Sequence, residues 1–220
     1  MSALRHLARN TIAAFVLVLP LAGCGSLLPK SEPQQIITSQ AHVDPDPAWP
    51  HVAWQLTVAR PSTSDILDSR RMAVIPSPGR IEVYKGVSWD DTVPDILQDT
   101  VVHAFEDSGK ILAVGHQTAG LHTDYLLLLE LRDDQAVYRT AAAPPEVSLV
   151  VNAKLVDFAT SRAVASRTFR ETVPASGTAV PAVAQAFDSA LGAFVHELVG
   201  WTLVSGQQAK VEADKAAAKH

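Results

Sequence analysis

Apolar and polar residues recur along this chain with two different periods. Trp54-Gln55-Leu56-Thr57-Val58 alternates, the period of a half-buried strand, and Arg60-Pro61 ends it. Ser69-Arg70 introduces a short apolar run, Arg71 to Ile75, stopped by Pro76. The turn Pro76-Ser77-Pro78-Gly79 then leads into a further strand, Ile81 to Tyr84. Downstream, Ile111 to Val114 reads as a short strand. Tyr125 to Leu131 is almost continuously apolar, which predicts a strand covered on both faces. Glu146 to Asp157 alternates cleanly, with Val147, Leu149, Val151, Ala153 and Leu155 pointing one way. Phe158 to Arg162 turns the chain into Ala163 to Glu171, closing an antiparallel hairpin.

Two segments carry the helical period instead. After Thr92, a candidate N-cap with Asp95 three residues on, Val93, Ile96, Leu97, Val101, Ala104 and Phe105 fall on one stripe. Asp90 and Asp91 complement the positive end of that helix, and Gly109 supplies a left-handed C-cap. The last helix begins near Thr178 with Pro181 in its first turn, and Val183, Phe187, Leu191, Phe194, Leu198 and Trp201 form its stripe. The order βββ-α-ββββ-α predicts an α/β fold, with α+β as its near variant: a mixed sheet of six or seven strands and two main helices.

The N-terminus is of another kind. Arg5, His6 and Arg9 precede Thr11 to Leu21, an apolar stretch of about eleven residues where roughly 20 are needed to span a bilayer. Leu21-Ala22-Gly23-Cys24 closes it. A positive flank, a short apolar region and small residues before a cysteine describe a secretion signal over residues 1–23, with Cys24 as the lipidated residue. Its thiolate is the nucleophile that takes the diacylglycerol. It is the chain's single cysteine, so lipidation leaves no thiol for a disulfide, a zinc site or catalysis. No cofactor is expected beyond the covalent diacylglycerol and N-acyl chain on Cys24. Gly25, not Asp, follows the cysteine, which favours the outer membrane where enterobacterial sorting applies.

Residues 24–52 read as a proline-rich tether, with Pro29, Pro33, Pro45, Pro47 and Pro50 breaking regular structure and Ile36-Ile37 as a short edge strand. A free chain of that length has an r.m.s. reach of roughly 25–30 Å. A single domain follows over residues 53–204. Residues 205–220, rich in Ala, Lys and Gln with no aromatic after Trp201, read as a frayed, flexible tail.

Charge adds exclusions. The net charge is −5 with 19% charged residues. No basic patch or aromatic groove points to nucleic acid. G-x-S-x-G, H-E-x-x-H and G-x-x-x-x-G-K-[ST] are all absent, so the chain carries no P-loop of its own and reads as a non-enzyme. His103, His116, His122 and His196 are scattered, without the spacing of metal ligands. The adjacent pairs Asp90-Asp91 and Asp133-Asp134 suit caps and turns better than paired acid–base chemistry.

Several segments together resemble a known family. They are the Leu21–Cys24 lipobox; Leu67-Asp68-Ser69-Arg70-Arg71-Met72-Ala73-Val74; Val83-Tyr84-Lys85-Gly86-Val87-Ser88-Trp89-Asp90-Asp91; and Pro94-Asp95-Ile96-Leu97-Gln98 through Ala104-Phe105-Glu106-Asp107-Ser108-Gly109. Asp124-Tyr125, Glu130-Leu131-Arg132 and Leu155-Val156-Asp157 continue the series. In this order they resemble the auxiliary lipoproteins of ABC-type lipid transporters, the family of paraquat-inducible protein C. Lys85-Gly86-Val87-Ser88 departs from the family's more usual aromatic and small residue, and the proline-rich linker is also unusual. The resemblance implies a periplasm-facing accessory of an intermembrane lipid transport system. Its implied partners are an MCE-domain substrate-binding protein and, indirectly, an ABC permease and ATPase. The alternative is a structural lipoprotein that braces or activates an envelope complex without meeting lipid; a periplasmic hydrolase lacks a nucleophile motif.

Candidate partner contacts come from two places. Tyr84 and Trp89 flank a loop before the first helix, and aromatics are enriched where interfaces bind tightly. Core packing is the better reading for Trp89, and both readings stand for Tyr84. The last helix has a second stripe, Ala182, Ala186, Ser189 and Ala193, whose small side chains admit a neighbouring helix or a second copy in a homo-oligomer. The competing reading is that alanine simply favours helix. Ala186 and Ala193 are the positions singled out there.

Overall fold

The computed structural model describes residues 34–120, 122–140 and 143–219. Cys24 and the signal segment lie outside the described residues. A seven-stranded mixed sheet carries the domain. Its spine is a long meander: β7 (Tyr125–Val137), β8 (Glu146–Asp157) and β9 (Arg162–Pro174), paired antiparallel along almost their whole length. The free edge of β7 is shared. Its first half pairs in parallel with β2 (Val52–Val58), which in turn pairs with β6 (Ile111–His116). Its last residues pair in parallel with β3 (Ala73–Ser77), and β4 (Arg80–Val83) folds back on β3 through Gly79, at φ 75°. The seven strands expected from the alternation are therefore all present, in one sheet. Pro76 lies inside β3, where the β3–β4 register breaks, an irregularity that tolerates a missing amide donor.

Two helices cover one face. α1 (Val93–Ser108) lies against β2 and β6, and α2 (Val180–Ala217) against β8, β9 and α1. Thr92 occupies the N-cap of α1, but its hydroxyl donates to the Asp95 carboxylate instead of accepting a backbone amide. Gly109 ends α1 at φ 59°. Phe105, Phe169, Phe194, Leu127, Leu155 and Leu198 form the buried centre, with Phe169 edge-to-face on Phe194 at 5.4 Å.

Five expectations need correction. The proline-rich stretch is not a tether as far as residue 52, because the chain from Gln34 belongs to the domain. There β1 (Gln35–Ile37) pairs in parallel with β5 (Val87–Trp89), so the expected loop between Tyr84 and Trp89 holds a strand. Prolines 45, 47 and 50 prevent regular structure without preventing packing, and Trp49 is buried. The expected frayed tail is helical to Ala217. It extends an existing helix, so it needs no new nucleus, and Ala, Lys, Gln and Glu favour the helix without packing partners. Lys210 and Asp214, one turn apart, add an ion pair at 3.1 Å.

β7 is covered on one face only. Leu127, Leu129 and Leu131 are buried, while Leu128 is 37% exposed. Both helices lie on the same side, so the continuous apolar run misled. Finally, Asp133 and Asp134 stand within β7, not in a turn. A bulge between Leu131 and Asp133 shifts the register there, so that Asp134 opposes Leu149.

Candidate functional site

Three of the segments that carry the family resemblance, residues 67–74, 83–91 and 94–109, meet in space around the start of α1. Arg60, leaving β2, donates through Nη2 to Asp68 at 2.7 Å and through Nε to Asp95 at 2.6 Å. That guanidinium holds both carboxyls below the usual carboxylate range. The backbone completes the tie. Trp89 N–H donates to the Arg70 carbonyl, Val93 N–H to the Ser69 carbonyl and Tyr84 N–H to the Met72 carbonyl. Leu67 and Met72 are buried beneath. Downstream, Asp124 accepts from the Gln55 amide, and Asp157 accepts from the amide and hydroxyl of Thr160 in the β8–β9 turn. These residues hold strands to helix, and their grouping is architectural.

The residues singled out as partner contacts are distributed unequally. Trp89 is 4% exposed and stands edge-to-face on Phe187 at 5.7 Å. It is core, and a surface contact through its ring is excluded. Tyr84 is half-buried, with its hydroxyl 3.2 Å from that of Tyr138. Burial first, then that hydrogen bond, pushes its pKa above the usual phenol range. The small-residue stripe winds from core to surface: Ala186 is buried, and Ser189 and Ala193 are exposed. Ala186 is thus corrected to a packing position, set by the pitch of α2 against the sheet.

The sequence reading missed a slot where α1, α2 and the inner face of β7 and β8 diverge. Its walls are apolar and nearly buried, with Trp89, Leu97, Leu131, Leu149 and Phe187 among them, and its free space of about 30 Å³ is room for little more than a water molecule. Two carboxylates line it. Asp188 on α2 accepts from the Ser39 hydroxyl at 2.7 Å and the Gln40 amide at 3.0 Å. Asp134 on β7 has no hydrogen bond or ion pair among the described residues, and burial pushes its pKa up to about 7. The available signal was an acidic residue where the inward apolar alternation of β7 should have continued, but it required knowing the bulge. Among the described residues, no three His, Cys, Asp or Glu side chains come together as metal ligands.

Comparison with known proteins places this geometry. The family model described as "ABC-type transport auxiliary lipoprotein component" matches residues 35–199. A crystal structure of protein XCC0632 from Xanthomonas campestris is 45% identical, with a TM-score of 0.76, over 80% of this chain and 98% of that one. An uncharacterised protein of known structure, 11% identical, shares the fold at a TM-score of 0.60 over 76% of this chain and 97% of its own. An uncharacterised Bradyrhizobium diazoefficiens protein, bll6063, is 27% identical over 192 residues. That match takes in 84% of this chain and 50% of the relative, so the chain spans about half the length of the curated protein it matches.

Proposed function

Because the chain belongs to the family of ABC-type transport auxiliary lipoprotein components, we propose that it is an accessory of an MCE-type system moving lipid between two membranes. In this reading it is acylated at Cys24 and faces the periplasm from the outer membrane, where it binds an MCE-domain substrate-binding protein and, through it, the ABC permease and ATPase. It acts by binding, without turnover. The family match over residues 35–199 is the observation that carries the reading, because it spans nearly the whole packed domain.

The position of the domain edge supports a short tether. The packed chain begins at Gln34, ten residues after Cys24. Even fully extended, those residues reach only about 35 Å. An acylated Cys24 would therefore keep the domain close to one membrane and raise its effective concentration for a partner reaching across the periplasm. The exposed end of the small-residue stripe, at Ala193, is the retained partner or self-association contact.

Crosslinking in living cells, with the lipoprotein at its native level, tests the proposal. Capture of an MCE-domain protein is expected. Reproducible capture of envelope proteins without any MCE domain would replace transport with the bracing role.

A further inference from the structure

β9 ends the sheet, and its outer edge is open. Among the described strands it pairs with β8 alone. The two keep one register from Glu146 opposite Pro174 to Leu155 opposite Ala165, and the Ala175 amide donates to the Pro145 carbonyl just beyond. In an antiparallel ladder successive residues turn their amide and carbonyl to alternate sides. Ala165, Arg167, Phe169, Glu171 and Val173 therefore bond to β8, and Ser166, Thr168, Arg170 and Thr172 point both groups away from the sheet. A row of free backbone groups is a template for a further strand. Both ends of this row are closed. Val164 bulges out of register at one end, and Pro174, next in the row, has no amide to offer at the other. The side chains on the helix-covered face add a charge pattern. Arg167 donates to Glu197 of α2 at 2.7 Å and lies 4.5 Å over the Phe169 ring. Glu171 is half-buried and makes no side-chain hydrogen bond or ion pair among the described residues.

We propose that β9 pairs antiparallel with β9 of a second copy of this chain, about a twofold axis at Phe169, joining two sheets edge to edge. The register follows from the backbone and the charges. Bonds form only where outward-facing residues meet outward-facing residues, so the axis passes through a residue. An axis at Arg167, Arg170 or Glu171 sets that charge against its own copy, which destabilises a strand pair. An axis at Thr168 leaves Arg167 facing Phe169. With the axis at Phe169, Arg167 faces the partner's Glu171, and Glu171 faces the partner's Arg167. Thr168 then exchanges bonds with the partner's Arg170, and Ser166 with the partner's Thr172. Opposite charges directly across a strand pair stabilise it. The guanidinium has donors enough for Glu197 and for the partner's Glu171 together. Glu171 gains the counter-ion that its own chain does not supply. Ala193, one turn before Glu197 and so on the flank of α2 beside this edge, is small and exposed and leaves room for the partner's α2. The pairing concerns copies of the chain and does not depend on what the chain helps to transport.

The test uses the full mature lipoprotein in detergent micelles. Sedimentation should show a dimer that dissociates on dilution and grows no larger. Arg170→Pro removes one outward amide and leaves the bonds to β8 in place. It should keep the circular dichroism spectrum and weaken dimerisation roughly tenfold or more. Introduced cysteines then read the register without disturbing the backbone. Thr168→Cys chains mixed with Arg170→Cys chains should form an intermolecular disulfide under mild oxidation, because a bonded antiparallel pair sets its Cα atoms about 5.5 Å apart. Thr168→Cys chains alone should crosslink far more slowly, since their sites are displaced along the strands by two residues, roughly 7 Å. The unsubstituted chain, oxidised alongside, accounts for Cys24. A monomer at every concentration would overturn the proposal, as would a dimer that Arg170→Pro leaves intact. Equally fast crosslinking of Thr168→Cys chains alone would overturn it too, and so would a closed ring of more than two copies.

Discussion

A Cβ atom placed on Gly200 would lie 2.6 Å from Nε1 of Trp49. The indole of Trp49 thus lies directly on the α2 backbone, with the His196 ring 5.0 Å away on the same helix. About two turns earlier on the helix, a Cβ on Gly192 would meet the His42 carbonyl at 2.8 Å. Two glycines on one helix make the bed for residues 42–49, which composition alone presents as tether. Gly200→Ala isolates this contact. In an open helix the change stabilises by about 1 kcal/mol. Here the backbone-facing indole must move, an overpacking that costs about 1–3 kcal/mol. The net expectation is destabilisation, with Trp49 fluorescence shifted to the red. Urea unfolding checks the sign, and a more stable Gly200→Ala protein would refute the packing.

Ala186 and Ala193 differ in burial although they share a stripe. Ala186 is 4% exposed, so Ala186→Arg places an unpaired cation in the core and should unfold the domain outright. Ala193 is exposed, so Ala193→Arg should leave the circular dichroism spectrum and melting temperature almost unchanged. Only the second substitution can report on assembly. Loss of partner crosslinking or of self-association in Ala193→Arg would support a contact there, and unchanged assembly would remove this position from the interface.

Much of the fold was legible because its signals are local. The alternation in β8 and the stripes of α1 and α2 each follow from burying one face, and Thr92 and Gly109 mark the ends of α1 as expected. The misreadings arose where tertiary packing decides. Whether Leu128 is covered depends on which side the helices take. Whether Trp49 is tether or core depends on Gly192 and Gly200, some 150 residues away. The inward placement of Asp134 depends on one extra residue in a ladder, and nothing in Arg132-Asp133-Asp134 announces it.

Cys24→Ser addresses the anchor. It is the chain's single thiol, and diacylglycerol transfer needs a thiolate. The substituted chain should accumulate as the uncleaved precursor, take up no labelled palmitate and leave the membrane-bound acylated pool. Palmitate incorporation comparable to wild type would end the lipoprotein assignment for this residue. The packed domain itself should melt at the same temperature with or without reductant, since it contains no cysteine.

Asp134 should also set how stability varies with pH. Burial raises its pKa from 3.8 to about 7 in the folded chain, so folding favours the protonated form. Its contribution is therefore most favourable below the unfolded value, is lost as pH rises from about 4 to about 7, and is constant above. Three units correspond to at most about 4 kcal/mol, and partial solvent access reduces this to about 1–3 kcal/mol. Asp188 is shifted in the same direction, chiefly by burial, whereas Asp68 and Asp95 are held low by Arg60 and lose their contribution on acidification. The wild-type curve mixes these opposing effects, but the difference between wild type and Asp134→Asn isolates one residue. The variant should be more stable near pH 8 by about 1–3 kcal/mol, and the gap should close toward pH 4. Urea unfolding at a series of pH values measures it directly. A gap that is constant with pH would mean the carboxylate is already solvated in the folded protein, and that its position in the slot carries no electrostatic cost.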